Sequence, residues 1–174
     1  MSPIYTSSLR PGTDSSYSSN EGGGIIQMKC AKRTSGWSTS SNSWVGYMSV
    51  SITPVSSSSR IWISAYFNYT TTSSNRFAYA RLDRDGTVIG QGDSNGPRER
   101  CWGDIAIQNG VQNIKQHPVT MQWIDEPGTT STRTYYLRIK NKNGAAYYFN
   151  YTPNGDDGLR SSTPTILSVW EVSA

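Results

Sequence analysis

Beyond residue 24 the chain alternates short apolar runs of period two with turn residues. Segment 47–52 is the clearest case. Met48, Val50 and Ile52 fall on one side and Ser49 and Ser51 on the other, the signature of a half-buried strand. Segment 60–69 differs, with Ile61, Ile63, Ala65 and Phe67 on one face and Trp62 and Tyr66 on the other. A strand apolar on both sides belongs at the centre of a sheet or beneath an interface. Residues 25–30 predict a first strand. Segments 76–82 and 87–89 flank Arg84-Asp85-Gly86, and Asp-Gly between two β runs signals a hairpin.

Residues 90–100 read as a polar loop and 101–107 as a short strand or irregular segment. Val119, Met121 and Trp123 mark a strand closed by Glu126-Pro127-Gly128. Tyr135, Leu137 and Ile139 are expected to pair through Asn143-Gly144 with Tyr147, Phe149 and Tyr151 as a second hairpin. The last strand, 165–172, alternates Leu167 and Val169 with Ile166 and Trp170. Neither a helical stripe nor a repeat of fixed period appears. About eight to ten strands with turns between them predict an all-β fold, a single antiparallel β-sandwich or barrel. This head domain spans 25–174. Residues 1–24, poor in apolar periodicity and ending in Gly22-Gly23-Gly24, read as a flexible N-terminal arm or linker. Its apolar residues Ile4, Tyr5, Leu9 and Tyr17 are the candidates for docking onto a neighbouring copy or a larger assembly.

Composition sharpens this picture. Hydrophobic residues are only 34%, but the 11 Tyr and 6 Trp oppose disorder and predict a thin core built on large aromatic rings. Charged residues are 16%, too few for a surface of ordinary helices. The net charge of +4 is scattered; its longest cluster is Lys29, Lys32 and Arg33, which argues against a nucleic-acid partner. The same mildly basic surface suits anionic polysaccharide or lipopolysaccharide equally well. A signal peptide is missing and no apolar run is long enough to span a membrane, so assembly in a cytoplasm without membrane insertion is expected. There Cys30 and Cys101 are expected as free, buried thiols, with a disulfide as the alternative.

Catalytic chemistry has little to work with. His117 is the lone histidine, so any nucleophilic triad would have to use it. Its place beside Pro118 at a strand start predicts a structural or solvent-facing role. Two cysteines without ligand spacing argue against zinc. Asp83-Arg84-Asp85-Gly86 lacks the later oxygen ligands of a calcium loop and reads as a turn, as does Asp156-Asp157-Gly158. Asp104, Glu99 and Asp125-Glu126 supply carboxylates, but nothing holds a glycosidase pair across a groove. The expectation is no enzyme, no cofactor and no metal. Recognition is the positive signal. Trp37, Trp44, Tyr69, Trp102 and Tyr151 lie in or beside loops rich in Ser, Asn, Thr and Gly, a pairing of rigid rings with adaptable polar neighbours. Trp62, Trp123 and Trp170 fall within strands, where covering the core or a subunit interface is expected.

Several blocks together resemble a family of C-terminal head or knob-like β domains of bacteriophage tail-fibre and related virion structural proteins. They are GGGIIQM, SVSITPVSSSSRIWISA, LDRDGTVIG, WIDEPGTTSTRTYYLRIKNKNGAAYYFN and the closing TILSVWEVSA, and they cover about residues 22–174. The resemblance implies a jelly-roll-like β-sandwich, homotrimeric, at the exposed end of a fibre or knob on the virion. Its partners would be copies of itself, other phage tail or capsid proteins, and a host surface polysaccharide or receptor. Such domains usually follow long shafts, whereas this sequence starts close to the domain. That departure keeps two alternatives open: a capsid fibre or decoration (cement) protein anchored by its N-terminal arm, and a stand-alone carbohydrate-binding module.

Overall fold

The computed structural model describes residues 24–71, 76–107, 116–142, 144–153 and 162–174. The docking candidates Ile4, Tyr5, Leu9 and Tyr17 and the Asp156-Asp157-Gly158 segment lie outside them. The described residues form eleven strands and no helix: β1 Ile25–Arg33, β2 Trp37–Thr39, β3 Val45–Ile52, β4 Arg60–Thr71, β5 Arg76–Arg84, β6 Thr87–Ile89, β7 Gly103–Ile107, β8 His117–Asp125, β9 Arg133–Asn141, β10 Tyr147–Phe149 and β11 Thr165–Val172. All their pairings are antiparallel.

Two sheets result. In the first, β1 pairs β11, β11 pairs β4, and β4 pairs β8, while short β10 and β2 extend the sheet beyond the end of β11. In the second the order is β3, β9, β5, with β6 and β7 end to end along the far edge of β5. Leaving out β2 and β10 and taking β6 with β7 as one line, the chain order within the sheets is first–eighth–third–sixth and second–seventh–fourth–fifth. That is the jelly-roll winding, two Greek keys folded onto one another. The fold is therefore an all-β antiparallel sandwich.

Between the sheets lies the core. Ile61, Ile63, Ala65 and Phe67 of β4, Leu167 and Val169 of β11, and Tyr147 and Phe149 of β10 face Tyr135, Leu137 and Ile139 of β9, Ala78, Ala80 and Leu82 of β5, and Ile105 of β7. Each large apolar side chain buried this fully contributes roughly 1.5–3 kcal/mol. Aromatics pack within it at Tyr47, Phe67 and Phe149, with ring centroids 4.9–6.4 Å apart. In β3 the alternation is broken by a bulge between Gly46 and Met48. The extra residue turns Tyr47 inward beside Val50 and Ile52 and leaves Met48 only partly covered. The Asp85-Gly86 turn between β5 and β6 has positive φ at both residues, 49° and 88°, the geometry that suits the twist of a two-residue hairpin.

One expected hairpin does not form. β9 and β10 lie in different sheets, because β9 already has β3 on one edge and β5 on the other. β10 instead pairs β4 and β2, so that Tyr147 and Phe149 enter the core from the opposite side to Leu137. The free cysteines also differ from expectation: Cys30 is exposed on edge strand β1 and Cys101 is half-buried.

Buried polar groups tie the sheets together. Asp125 at the end of β8 accepts from Arg84 Nη1 at 2.8 Å and from the Tyr135 hydroxyl at 2.8 Å, joining the first sheet to β5 and β9. Burial and this carboxylate push the Tyr135 hydroxyl far above the ordinary phenol range. Asn150, fully buried with φ 67°, accepts from Thr165 Oγ1 at 2.6 Å and donates to the Arg33 and Ser35 carbonyls, while Tyr47 and Thr165 share a 2.6 Å hydroxyl contact. Glu171 is fully buried and accepts from Gln27 Nε2 at 2.6 Å and from the amides of Val55 and Ser56 at 2.7 and 3.3 Å.

Burial alone would raise the Glu171 carboxyl, but these donors outweigh it and hold the group below its ordinary value. Glu171→Gln would turn an amide N–H₂ toward groups that already donate, and we expect a loss of about 1–3 kcal/mol at neutral pH. A folded pKa below the ordinary 4.5 means that this stabilisation is complete above that value and disappears as pH falls through the lower folded value. Thermal melts should therefore show the two proteins well separated at neutral pH and converging in acid.

Candidate functional site

The outward faces of the two sheets differ in chemistry. On the second sheet, β5 and β9 place Arg81 directly opposite Arg138, a repulsive pair resolved by Asp83 at 2.7 and 2.5 Å from their Nε atoms. Trp44 lies over Arg81 and Lys140, with charge-to-centroid distances of 4.6 and 5.7 Å, and Arg138 lies over Tyr136 at 5.2 Å. This face is charged and internally paired. On the first sheet, register aligns Met28, Trp170, Trp62 and Ile124 in one row across β1, β11, β4 and β8. A second row runs Lys32, Ile166, Tyr66 and Thr120, and small or polar Cys30, Ser168, Ser64 and Gln122 lie between. Met28, Trp62, Ile124, Tyr66 and Ile166 are all exposed, and the Trp62 and Trp170 rings meet at 5.7 Å.

Where β8 forms the outer edge of the first sheet among the described residues, a groove opens between it and β6–β7 of the second. Trp123 is paired with inward-facing Ile63, but at the sheet edge the residue is 40% exposed. It lies against Gly90, where an added Cβ would meet the indole at 3.2 Å and where φ is +59°, so no larger residue fits there without moving the ring. Trp102, just before β7, donates its indole N–H to the Gln122 carbonyl at 3.0 Å, capping an edge-strand acceptor.

Between these two rings is a hollow of about 540 Å³ bordered also by Gln91, Asp104, Met121 and Gln122. On the far side of Trp123 lies a second hollow of about 470 Å³, bordered by Val88, Ile89, Ile124 and Glu126. Both volumes are ordinary for small-molecule sites, roughly 300–1,000 Å³. A third hollow, beside Ser57, Ser58 and Arg60, has no aromatic wall. Crowding around the Asp104 carboxyl raises its pKa, against the Ile105 amide and Lys142. Burial, then the carboxylates of Asp104 and Glu99, push the Cys101 thiol up as well.

The structure scatters the five recognition candidates. Trp37 stacks on Tyr47 at 4.7 Å and leans on Phe149, capping one end of the core. Tyr69 falls inside β4 rather than beside a loop and is buried against Tyr147 and His117; burial and Asp104 raise its hydroxyl to about 12. Tyr151 meets Tyr148 edge-on and packs over Gly36. Trp44 belongs to the charged face, and of the five Trp102 alone lines the groove. Trp123, expected to cover core or interface, joins it there. The sequence carries no signal for it: alternation in Gln122-Trp123-Ile124 marks an inward ring, and only its place on edge strand β8 brings it to the surface. Glu99 pairs Lys140 at 2.8 Å and Asp85 pairs Arg133 at 3.0 Å, so these carboxylates are engaged by neighbours. Among the described residues no three His, Cys, Asp or Glu side chains are grouped to hold a metal, and no helix is long and apolar enough to cross a membrane.

No family model and no curated protein matches this chain. Among solved structures it is similar to the VP2 subviral particle of infectious bursal disease virus, at 13% identity and a TM-score of 0.41, over 86% of this chain and 38% of that one. A D431N mutant VP2 of the same virus, in derived T=1 particles, gives 12% and 0.42, over 84% and 36%. The chain thus spans under two fifths of the length of these neighbours. Identity this low and superposition this loose carry no statement about function.

The raised Cys101 thiol gives a direct reading of the groove wall. In a Cys30→Ala background, alkylation of Cys101 by iodoacetamide should keep accelerating as pH passes the ordinary thiol value of 9.0, because only the thiolate attacks. Mass spectrometry would follow the rate. A plateau reached below that value would contradict the described packing.

Proposed function

We propose that this protein is a bacteriophage virion structural protein, the head domain of a tail fibre or related appendage, displayed on the particle and engaged in host attachment. The observation that carries this reading is the contrast between the two outward sheet faces. The second sheet satisfies its own charges, whereas the first presents a row of Met28, Trp170, Trp62 and Ile124 across its full width. Contiguous exposed apolar surface on this scale marks a protein–protein contact. A homotrimer that packs Met28, Trp170 and Trp62 around a common axis covers most of this face and leaves Ile124, which also borders the second hollow, and the β6–β8 groove at its margin. The sequence blocks that resemble phage head domains supply the rest of the reading, since they map onto β1, β3–β6, β8–β10 and β11.

Adhesion then works by multiplicity. Several weak sites on one symmetric head act together without any single tight contact. A virion role of this kind involves other phage proteins as partners and requires no catalysis.

Light scattering on the purified protein should return three times the 19.2 kDa chain mass. Trp62→Glu, which places a charge in the centre of the apolar row, should release monomers that retain the wild-type circular dichroism spectrum. A wild-type monomer would count against the appendage head and would turn attention to capsid decoration or to a lone binding module.

A further inference from the structure

The groove between β8 and β6–β7 has a composition that identifies its ligand class. We propose that it binds a linear, uncharged saccharide, lying across Trp123 with one part of the chain in each flanking hollow. This rests on the attachment reading above and deepens it by naming the site and the chemistry it recognises.

Three features support it. First, the walls combine two indoles with amide and carboxylate groups: Trp102 and Trp123 with Gln91, Gln122 and Asp104. Flat rings cover the C–H faces of a pyranose, while amides and carboxylates exchange hydrogen bonds with its hydroxyls; a pocket that was apolar throughout could not orient such a ligand. Second, the rings are held in place. Trp102 is fixed by its bond to the Gln122 carbonyl, and Trp123 is backed by Gly90, so little side-chain freedom is lost on binding. Third, Trp123 is a ridge between two hollows rather than the end of one, which suits an extended chain passing over it.

Charge sets the class. The hollow beside Trp102 has Asp104 on its wall and no cationic side chain among its described lining residues. The other contains Glu126 and Arg84, and Arg84 already holds both oxygens of Asp125 at 2.8 Å. Nearby Arg100 is directed to the Gly92 carbonyl at 2.8 Å, and Lys142 is not among the described residues that line either hollow. An acidic polysaccharide would bring its carboxylates against Asp104 and Glu126, with no uncommitted cation among the described lining residues to receive them. The overall positive charge of the protein therefore does not describe this site.

Fluorine NMR of the full chain labelled with 5-fluorotryptophan tests the proposal, with resonances assigned by single Trp→Phe variants. The probes are hexasaccharides of glucose, galactose, mannose, rhamnose and N-acetylglucosamine, and oligogalacturonate as the acidic counterpart. At least one neutral probe should shift the Trp102 and Trp123 signals saturably and leave Trp44 and Trp62 unmoved, while oligogalacturonate shifts neither groove signal. Trp123→Ala should weaken that binding at least tenfold while the protein, although less stable, keeps the wild-type circular dichroism spectrum at the temperature of the titration. Trp123→Phe, which keeps a ring face, should recover part of it, and Trp44→Ala should have no effect.

No shift with any neutral probe, shifts confined to other tryptophans, or tighter binding of oligogalacturonate would each overturn the assignment. Competition with phage adsorption separates the two levels. If Trp123→Ala competes as well as wild type, the groove is wrong and attachment stands. If wild type itself does not compete, attachment fails, whatever the groove binds.

Discussion

A strand that is apolar on both faces has to be covered twice, and β4 is such a strand. Its inner face, Ile61, Ile63, Ala65 and Phe67, is fully buried in the sandwich. Its edges are taken by β8 on one side and by β11 and β10 on the other. The rest of the first sheet is arranged around it, and the second sheet closes the core it begins. Its outer face, with Trp62 and Tyr66, stays exposed within one chain. In the proposed trimer, burial of this second face is the energetic reason for assembly.

The two sheets are held at their margins by groups that cannot be deleted cheaply. Asp125, Glu171 and Asn150 are buried polar side chains, each bonded to at least one segment far away in the sequence. Leaving any of their partners unpaired costs more than the bond itself contributes. They also fix where the sandwich opens. Asp125 clamps one end of the β8 edge to Arg84 and Tyr135, and next to that clamp Trp123 stands between the two hollows.

Much of the fold was legible in the sequence, because strands carry a period-two signal and Asp85-Gly86 specifies its turn. The strand positions of β3, β4, β5, β6, β9 and β11 follow from that signal alone. Pairing partners do not: Asn143-Gly144 suggested a local hairpin, but both edges of β9 are taken within its own sheet, and β10 finds its partners in the other. The site was less legible. Of the ring residues singled out by loop context, Trp102 reaches the groove, while Tyr69 is in the core and Trp37 caps it. Trp123 was hidden because alternation marks it as inward, and only the narrowing of the sandwich at an edge strand brings an inward ring to the surface. The pairing of charges was equally invisible, since Asp83 meets Arg138 from a distant strand of the chain.

Assembly through one sheet face, with the groove left open, is the central claim. Hydroxyl-radical footprinting of the native protein, read residue by residue, tests both halves at once. The expected result is protection of Met28, Trp62 and Trp170 together with ready oxidation of Trp123. Oxidation of Trp62 and Met28 at the rate set by their exposure in a single chain, or protection of Trp123 instead, would contradict it.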